Sequence, residues 1–351
     1  MKKTLKLFLI TLIIGLLVSC KETGNTIDNL IFEDVVINEE VVAYKIVGHG
    51  NKLPKNITIP KTFSTSVNGT KPVTIIGANA FRSSNVVSVT IPESITLIEE
   101  EAFLNSRKLE KITFEGLSNV TEIGNNAFRY AVNLKSINIP KSVKRIGEFA
   151  FFEAISLNKV TFEDESLLEV IGNNAFSKTN LTEFTVPEKV KTIEMPLFYD
   201  SNKLKNIYVD PTNKNFVSVS GVLYSYDKTV LISYPNGKND KSYILLEETL
   251  IIGNRAFYSN KHLEEVILNE SLQQINDLAF ARTEKLKTLV FGESLLVIKK
   301  DAFKEAKDLV LFFSFTEEKV DFHNGWNSSS LKVYYKPNWH FDNGVPTPNN
   351  S

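Results

Sequence analysis

A short phrase returns nine times along this chain: an isoleucine or its equivalent, a turn residue, then a small residue followed by phenylalanine. Its first copy reads Ile76, Gly77, Ala78, Asn79, Ala80, Phe81, and the same Phe recurs as Phe103, Phe128, Phe151, Phe176, Phe198, Phe257, Phe280 and Phe303. The steps are 22, 25, 23, 25 and 22 residues, then a gap of 59, then 23 twice. A fixed period of this size is the mark of a stacked solenoid, in which one unit cannot bury its own apolar face and its neighbours bury it instead.

Each unit carries a second apolar set. A Leu stands six, occasionally five, residues after the Phe, a branched or aromatic residue three further on, and another two beyond, as in Leu109, Ile112, Phe114 or Leu134, Ile137, Ile139. A spacing of two is strand periodicity, so the last two members point inward and the residue between them outward. Pro92, Pro140 and Pro187 follow such strands and end their ladders by removing a backbone donor. Each buried Phe contributes roughly 2 to 3 kcal/mol, and Ala beside it lets the backbone pass close to its neighbour. Gly77, Gly124, Gly147, Gly172 and Gly253 mark the turn. Glu99, Glu194, Asn276 and Lys299 replace Gly in other copies, so the position calls for a solvent-facing turn more than a positive φ.

The phrase resembles that of the BspA-like, or Treponema pallidum-type, bacterial leucine-rich repeats, and the resemblance runs from about Ile75 to Phe312. It implies short parallel strands forming one curved sheet, with adhesion to host matrix proteins or to other bacteria as the usual function. The family's interior Cys is replaced by Ser84, Ser106, Ala131, Ala154, Thr179, Ser201, Asn260, Thr283 and Ala306. Most of these residues are small, so the packing demand survives without the thiol.

A repeat lengthens its core by extension, so 351 residues are read as one elongated domain. Lys2, Lys3 and Lys6, an apolar run from Leu7 to Val18, and Leu17, Val18, Ser19, Cys20 fit a lipoprotein signal over 1–19. The run is shorter than the roughly 20 residues that span a bilayer. Cys20, the single cysteine, is then the lipidation site, and 20–30 a tether. The expected product is an exported bacterial lipoprotein of the cell envelope, surface exposed and touching the membrane only through its lipid. The formal charge of −1, with both signs interspersed, argues against nucleic acid as a partner.

Residues 31–74 are expected to cap the stack and hold an irregular first repeat; 75–313 form the solenoid. An insertion at about 210–245 reads as a β-hairpin, Gly221 to Tyr226 against Val230 to Pro235, which either continues the stack or projects as a contact element. Residues 314–343 read as a C-terminal cap and 344–351 as disordered. The tail holds both tryptophans, Trp326 and Trp339, so aromatic stacking on a glycan is the alternative to capping.

No catalytic motif stands out, and the expectation is a protein that is not an enzyme and needs no cofactor. His49, His262, His323 and His340 are scattered without metal-ligand spacing. The outward strand position carries the informative pattern: Thr90, Thr113, Asn138, Thr161 and Thr185, then Tyr208, Ile267, Val290 and Phe313. A polar row that turns apolar suggests a partner-binding strip at Tyr208, Ile267, Val290 and Phe313, unless β-propensity or the tail accounts for it. The leading reading is a lipid-anchored, adhesin-type module binding a protein or glycan macromolecule on host or bacterial surfaces. The alternatives are a glycan-capture or polysaccharide-uptake accessory lipoprotein and a structural envelope protein.

Overall fold

The structure is a computed structural model that describes residues 29–327 and 330–349. The segment expected to be a signal peptide, Cys20 and the expected tether through residue 28 lie outside the described residues. The chain winds into a parallel β-solenoid of about 11 turns. Each coil lays down one strand of three or four residues, such as Ser88–Ile91, Lys111–Phe114 or Lys159–Phe162, and one two-residue strand at the phrase Ile, such as Leu97–Ile98 or Arg145–Ile146. Both kinds pair in parallel with their counterparts one coil away.

The phrase Phe is the axis of the stack. Ring centroids are 4.9 Å apart for Phe81 and Phe103, 5.1 Å for Phe103 and Phe128, and 5.3 Å for both Phe128 with Phe151 and Phe151 with Phe176, with interplanar angles of 5°, 13°, 13° and 4°. These offset stacks add about 0.5 to 1.5 kcal/mol per pair beyond area burial. His49 lies on Phe81 at 5.9 Å and Trp326 meets Phe303 edge-on at 6.2 Å, so an aromatic ring closes the column at each end.

Backbone hydrogen bonds hold the coils at this spacing. The N–H groups of Asn79, Phe81 and Ser83 donate to the carbonyls of Glu100, Ala102 and Leu104 in the next coil, while those of Ala80, Arg82 and Ser84 close turns within their own. The alternation is produced by left-handed residues two before and two after the Phe, for example Asn79 (φ 60°) and Ser83 (φ 54°), or Asn126 (φ 56°) and Tyr130 (φ 61°). Pro196 is the exception, since its ring holds φ negative.

The turn glycine serves close approach. A Cβ on Gly172 would lie 2.5 Å from the Glu148 nitrogen, and one on Gly124 2.6 Å from the Glu100 nitrogen. Where Glu99 takes the place, its carboxylate accepts the Ala78 N–H at 2.8 Å and pairs with Lys45 at 2.7 Å. In place of the family's thiol, Ser106 and Ser201 donate to the carbonyls of Phe81 and Phe176 at 2.6 and 3.0 Å.

At the N-terminal end the antiparallel hairpin Leu30–Ile37 and Glu40–His49 leads into the first turn-side strand. The insertion is a three-stranded antiparallel meander, Phe216–Val219, Val222–Ser225 and Val230–Ser233, whose last strand joins the parallel ladder at Ile251–Ile252. It is buried between two cores. Leu223 belongs to the N-terminal cluster, while Val222 and Tyr224 belong to the C-terminal one, so a single strand serves as a two-faced wall. Tyr234 then takes the place of a column Phe, stacked on Phe257 at 5.2 Å.

Removing one ring from the column leaves a cavity that a stack fixed by hydrogen bonds on both sides cannot close. Phe151→Ala is expected to cost about 3–5 kcal/mol, measured as a lower urea midpoint. Phe151→Leu, which keeps part of the apolar volume, is expected to cost less than Phe151→Ala.

Candidate functional site

The outward strand positions form a row because the strands stack coil upon coil, paired in register within three groups before the insertion and one after it. Thr58 lies opposite Thr90, Thr90 opposite Thr113, Asn138 opposite Thr161, and Thr185 opposite Tyr208. After the insertion the row resumes with Ile244 opposite Ile267 and Val290 opposite Phe312, which faces Tyr334. The polar members bind one another: Thr161 donates to Asn138 at 2.8 Å. The flanking position carries Ser88, Lys111, Ser136 and Lys159, and later Ser242, which donates to Glu265 at 2.9 Å.

Phe313, expected on this row, is instead fully buried, and Phe312 takes the outward place. The cause is a shortened coil. From Leu309 to the first inward strand residue, Leu311, the step is two where other copies take three, and a one-residue shift moves the strand's side chains to the other face. Leu311 is accordingly buried and Val310 flanks the row.

The C-terminal segment covers that end of the row. Trp339 is 1% exposed, its ring meets Phe312 edge-on at 5.3 Å, and its Nε1 donates to the Phe313 carbonyl at 2.8 Å. The Lys336 ammonium sits 3.9 Å from its ring centroid. Trp339 therefore has no free face for a sugar, and Trp326 is half-buried on Phe322 at 4.4 Å. Residues 345–348, expected to be disordered, form the strand Val345–Pro348, antiparallel to Trp339–Asp342. Phe312, under this cover, is 3% exposed.

The apolar groups left open on the row are Tyr208 (44% exposed), Ile244 (67%) and Ile267 (45%), with Val290 half-buried beside them. Tyr208 ends the N-terminal ladder, because the insertion occupies the next edge: the Ile207 N–H donates to the Gly221 carbonyl at 2.8 Å and Ser218 to the Ile207 carbonyl at 2.6 Å. Ile244 begins the C-terminal ladder. It is missing from the sequence-derived row because its coil carries Tyr234 instead of Phe, yet Tyr234 stands 23 residues before Phe257, one repeat length. That interval is the signal that finds it.

Titratable groups around the wall serve packing. Burial pushes the phenol of Tyr224 up and those of Tyr234 and Tyr243 well above their ordinary range, so they stay neutral. Tyr224 and Tyr243 share a hydrogen bond, and Tyr234 donates to Asp240 at 3.1 Å. Among the described residues no three of His, Cys, Asp and Glu converge as a metal site requires.

Trp339→Ala is expected to uncover Phe312 and lower the unfolding free energy by about 3–5 kcal/mol, with increased binding of a hydrophobic dye to the native protein. An unchanged unfolding midpoint would show that the tail does not lock the stack.

Comparison with known proteins agrees with this geometry. Among solved structures, the pneumococcal vaccine antigen PcpA superposes with a TM-score of 0.75 at 29% identity, covering 88% of this chain and 86% of that one. A leucine rich cell surface protein from Faecalibacterium prausnitzii gives 0.60 at 23% identity over 91% and 96%, and a leucine-rich repeat protein from Bacteroides ovatus 0.55 at 24% over 89% and 71%; these two share the fold. Comparison with curated proteins gives no significant match. The profile of the BspA type leucine rich repeat region matches six copies over residues 55–166, 121–221 and 234–312, and the chain belongs to that family.

Proposed function

We propose that this protein is a surface-anchored binding module that captures a protein partner on its outward strand face. The observation that carries the reading is the exposure of Tyr208, Ile244 and Ile267 on a row whose preceding members are Thr or Asn. Cross-strand pairing of such groups adds only about 0.2–1 kcal/mol per pair, whereas a partner that covers them gains about 25 cal/mol for each Å² of apolar surface removed from water. Polar neighbours such as Ser242 and Glu265 supply the rim that such a patch needs.

Lipidation at Cys20 would tether the solenoid to the envelope with this face free, and adhesion to host matrix proteins or to other bacteria is the role that fits. The similarity to a pneumococcal vaccine antigen at 29% identity supports an exported location. Glycan capture through the tail tryptophans is not favoured, because Trp339 is buried and Trp326 is stacked on Phe322.

The test is binding of the purified full chain to a panel of immobilised extracellular-matrix proteins and to intact bacteria. Tyr208→Ser combined with Ile267→Ser is expected to leave the unfolding midpoint unchanged and to weaken capture at least tenfold. Unchanged capture by the folded double variant would refute the strand-face reading.

A further inference from the structure

The arginines of this chain are not distributed as its lysines are. There are 6 arginines against 34 lysines. Five of the six, Arg82, Arg107, Arg129, Arg255 and Arg282, fall within four residues of a column Phe, in the turn segment away from both strand ladders. Either cation would keep a turn soluble. Arginine adds a planar fork of five donors that grips carboxylate or sulfate in two places and stacks on rings.

Three of these arginines lie in consecutive coils. Arg82, Ser83, Leu104, Asn105, Arg107 and Tyr130 line an open cleft there. Its polar groups are already organised: Asn105 donates to Ser83 at 3.0 Å and accepts from Arg107 Nε at 2.8 Å, which aims the terminal nitrogens of Arg107. Arg82 is paired with Glu101 at 2.6 Å. Neither Arg107 nor Arg129 has a carboxylate within ion-pair distance among the described residues. The cleft thus carries a surplus of positive charge on a chain whose formal charge is −1.

Arg129 does not line the cleft but supports its Tyr130. Its guanidinium carbon lies 4.8 Å from the ring centroid of Tyr130, 5.3 Å from that of Phe149 and 5.1 Å from that of Phe152. It donates to the Tyr130 hydroxyl at 3.0 Å and to Asn126 at 3.1 Å, and its buried Nε has no partner. Tyr130 and Phe149 stand at the left-handed positions two after and two before the Phe that the coils share, φ 61° and 54°. At the place of Phe149, other coils carry residues as different as Asn79, Glu101, Arg255 and Leu278. Both rings are half-buried, outside the core, and frame an arginine instead.

We infer that this turn-side cleft is a second binding site, independent of the strand face, for an anionic polysaccharide. The ring of Tyr130 offers a platform for a sugar face, Arg82 and Arg107 reach a carboxylate or sulfate, and Asn105 and Ser83 meet hydroxyls. An acidic peptide would call for apolar pockets to seat its side chains, and the cleft offers only Leu104.

The test is direct binding of the full chain to heparin and to polygalacturonate, with neutral dextran and poly-glutamate as controls. Binding to at least one polysaccharide is expected, with none to dextran. Arg107→Gln is expected to weaken it at least tenfold, and Arg82→Gln provides a second variant if the first does not fold. Lys111→Gln with Lys159→Gln, and Tyr208→Ser with Ile267→Ser, both on the strand face, are expected to leave it unchanged. No binding to either polysaccharide, preference for poly-glutamate, full binding by folded Arg107→Gln, or an equal loss with the lysine pair would each overturn the assignment. Because the strand-face variants are read separately, failure here leaves the reading of that face intact.

Discussion

The distance between successive coils is the constraint on which the rest of this molecule depends. Phenylalanine rings stack at about 5 Å, and the N–H groups beside them reach the next coil at 2.7 to 2.8 Å for Phe81, Phe103 and Phe128. Ring stacking and hydrogen bonding therefore demand the same spacing, which is that of parallel strands. Every other position inherits its environment from this register. A residue one place from the Phe is buried or exposed according to the alternation of turns, and a residue between two inward strand positions joins the outward row whether or not it is polar.

The insertion shows how such a stack tolerates an interruption. Two cores meet at the strand Val222–Ser225, which sends Leu223 to one and Val222 and Tyr224 to the other. The meander thus replaces a coil as a partition and keeps both cores closed. It also divides the outward row, ending the Thr and Asn segment at Tyr208 and starting an aliphatic segment at Ile244. The division coincides with the change in surface chemistry, so the two halves of the strand face can serve different contacts while sharing one scaffold.

Much of this was legible in the residues. The Phe column, the strand positions, the solenoid architecture and the outward places of Tyr208, Ile267 and Val290 follow from periods of about 23 and of two. What escaped did so for definable reasons. Tyr234 fills a Phe place without the Ala before it, so its coil and Ile244 were hidden. Phe313 was misplaced because one residue is missing between Leu309 and Leu311, and strand register carries no tolerance for such a loss. The left-handed positions around the Phe are filled by Asn, Ser, Tyr, Glu and Lys alike, so no residue type marks them. His49 and Trp326 look unrelated to the repeat, and only the stacked column shows that each ends it. The arginine cluster was visible as composition but had no location until the turns were placed on one face.

If the column and its inter-coil ladder hold the molecule together, the amides that link coils must exchange together and last. Hydrogen exchange of the native chain, followed residue by residue, measures this most directly. The account predicts that the amides of Phe81, Phe103, Phe128, Phe151, Phe257 and Phe280 are the slowest in their coils, and that they slow as two groups separated at the Val222–Ser225 wall. Exchange of these amides as fast as that of exposed loop residues, or with no distinction between the two groups, would contradict it.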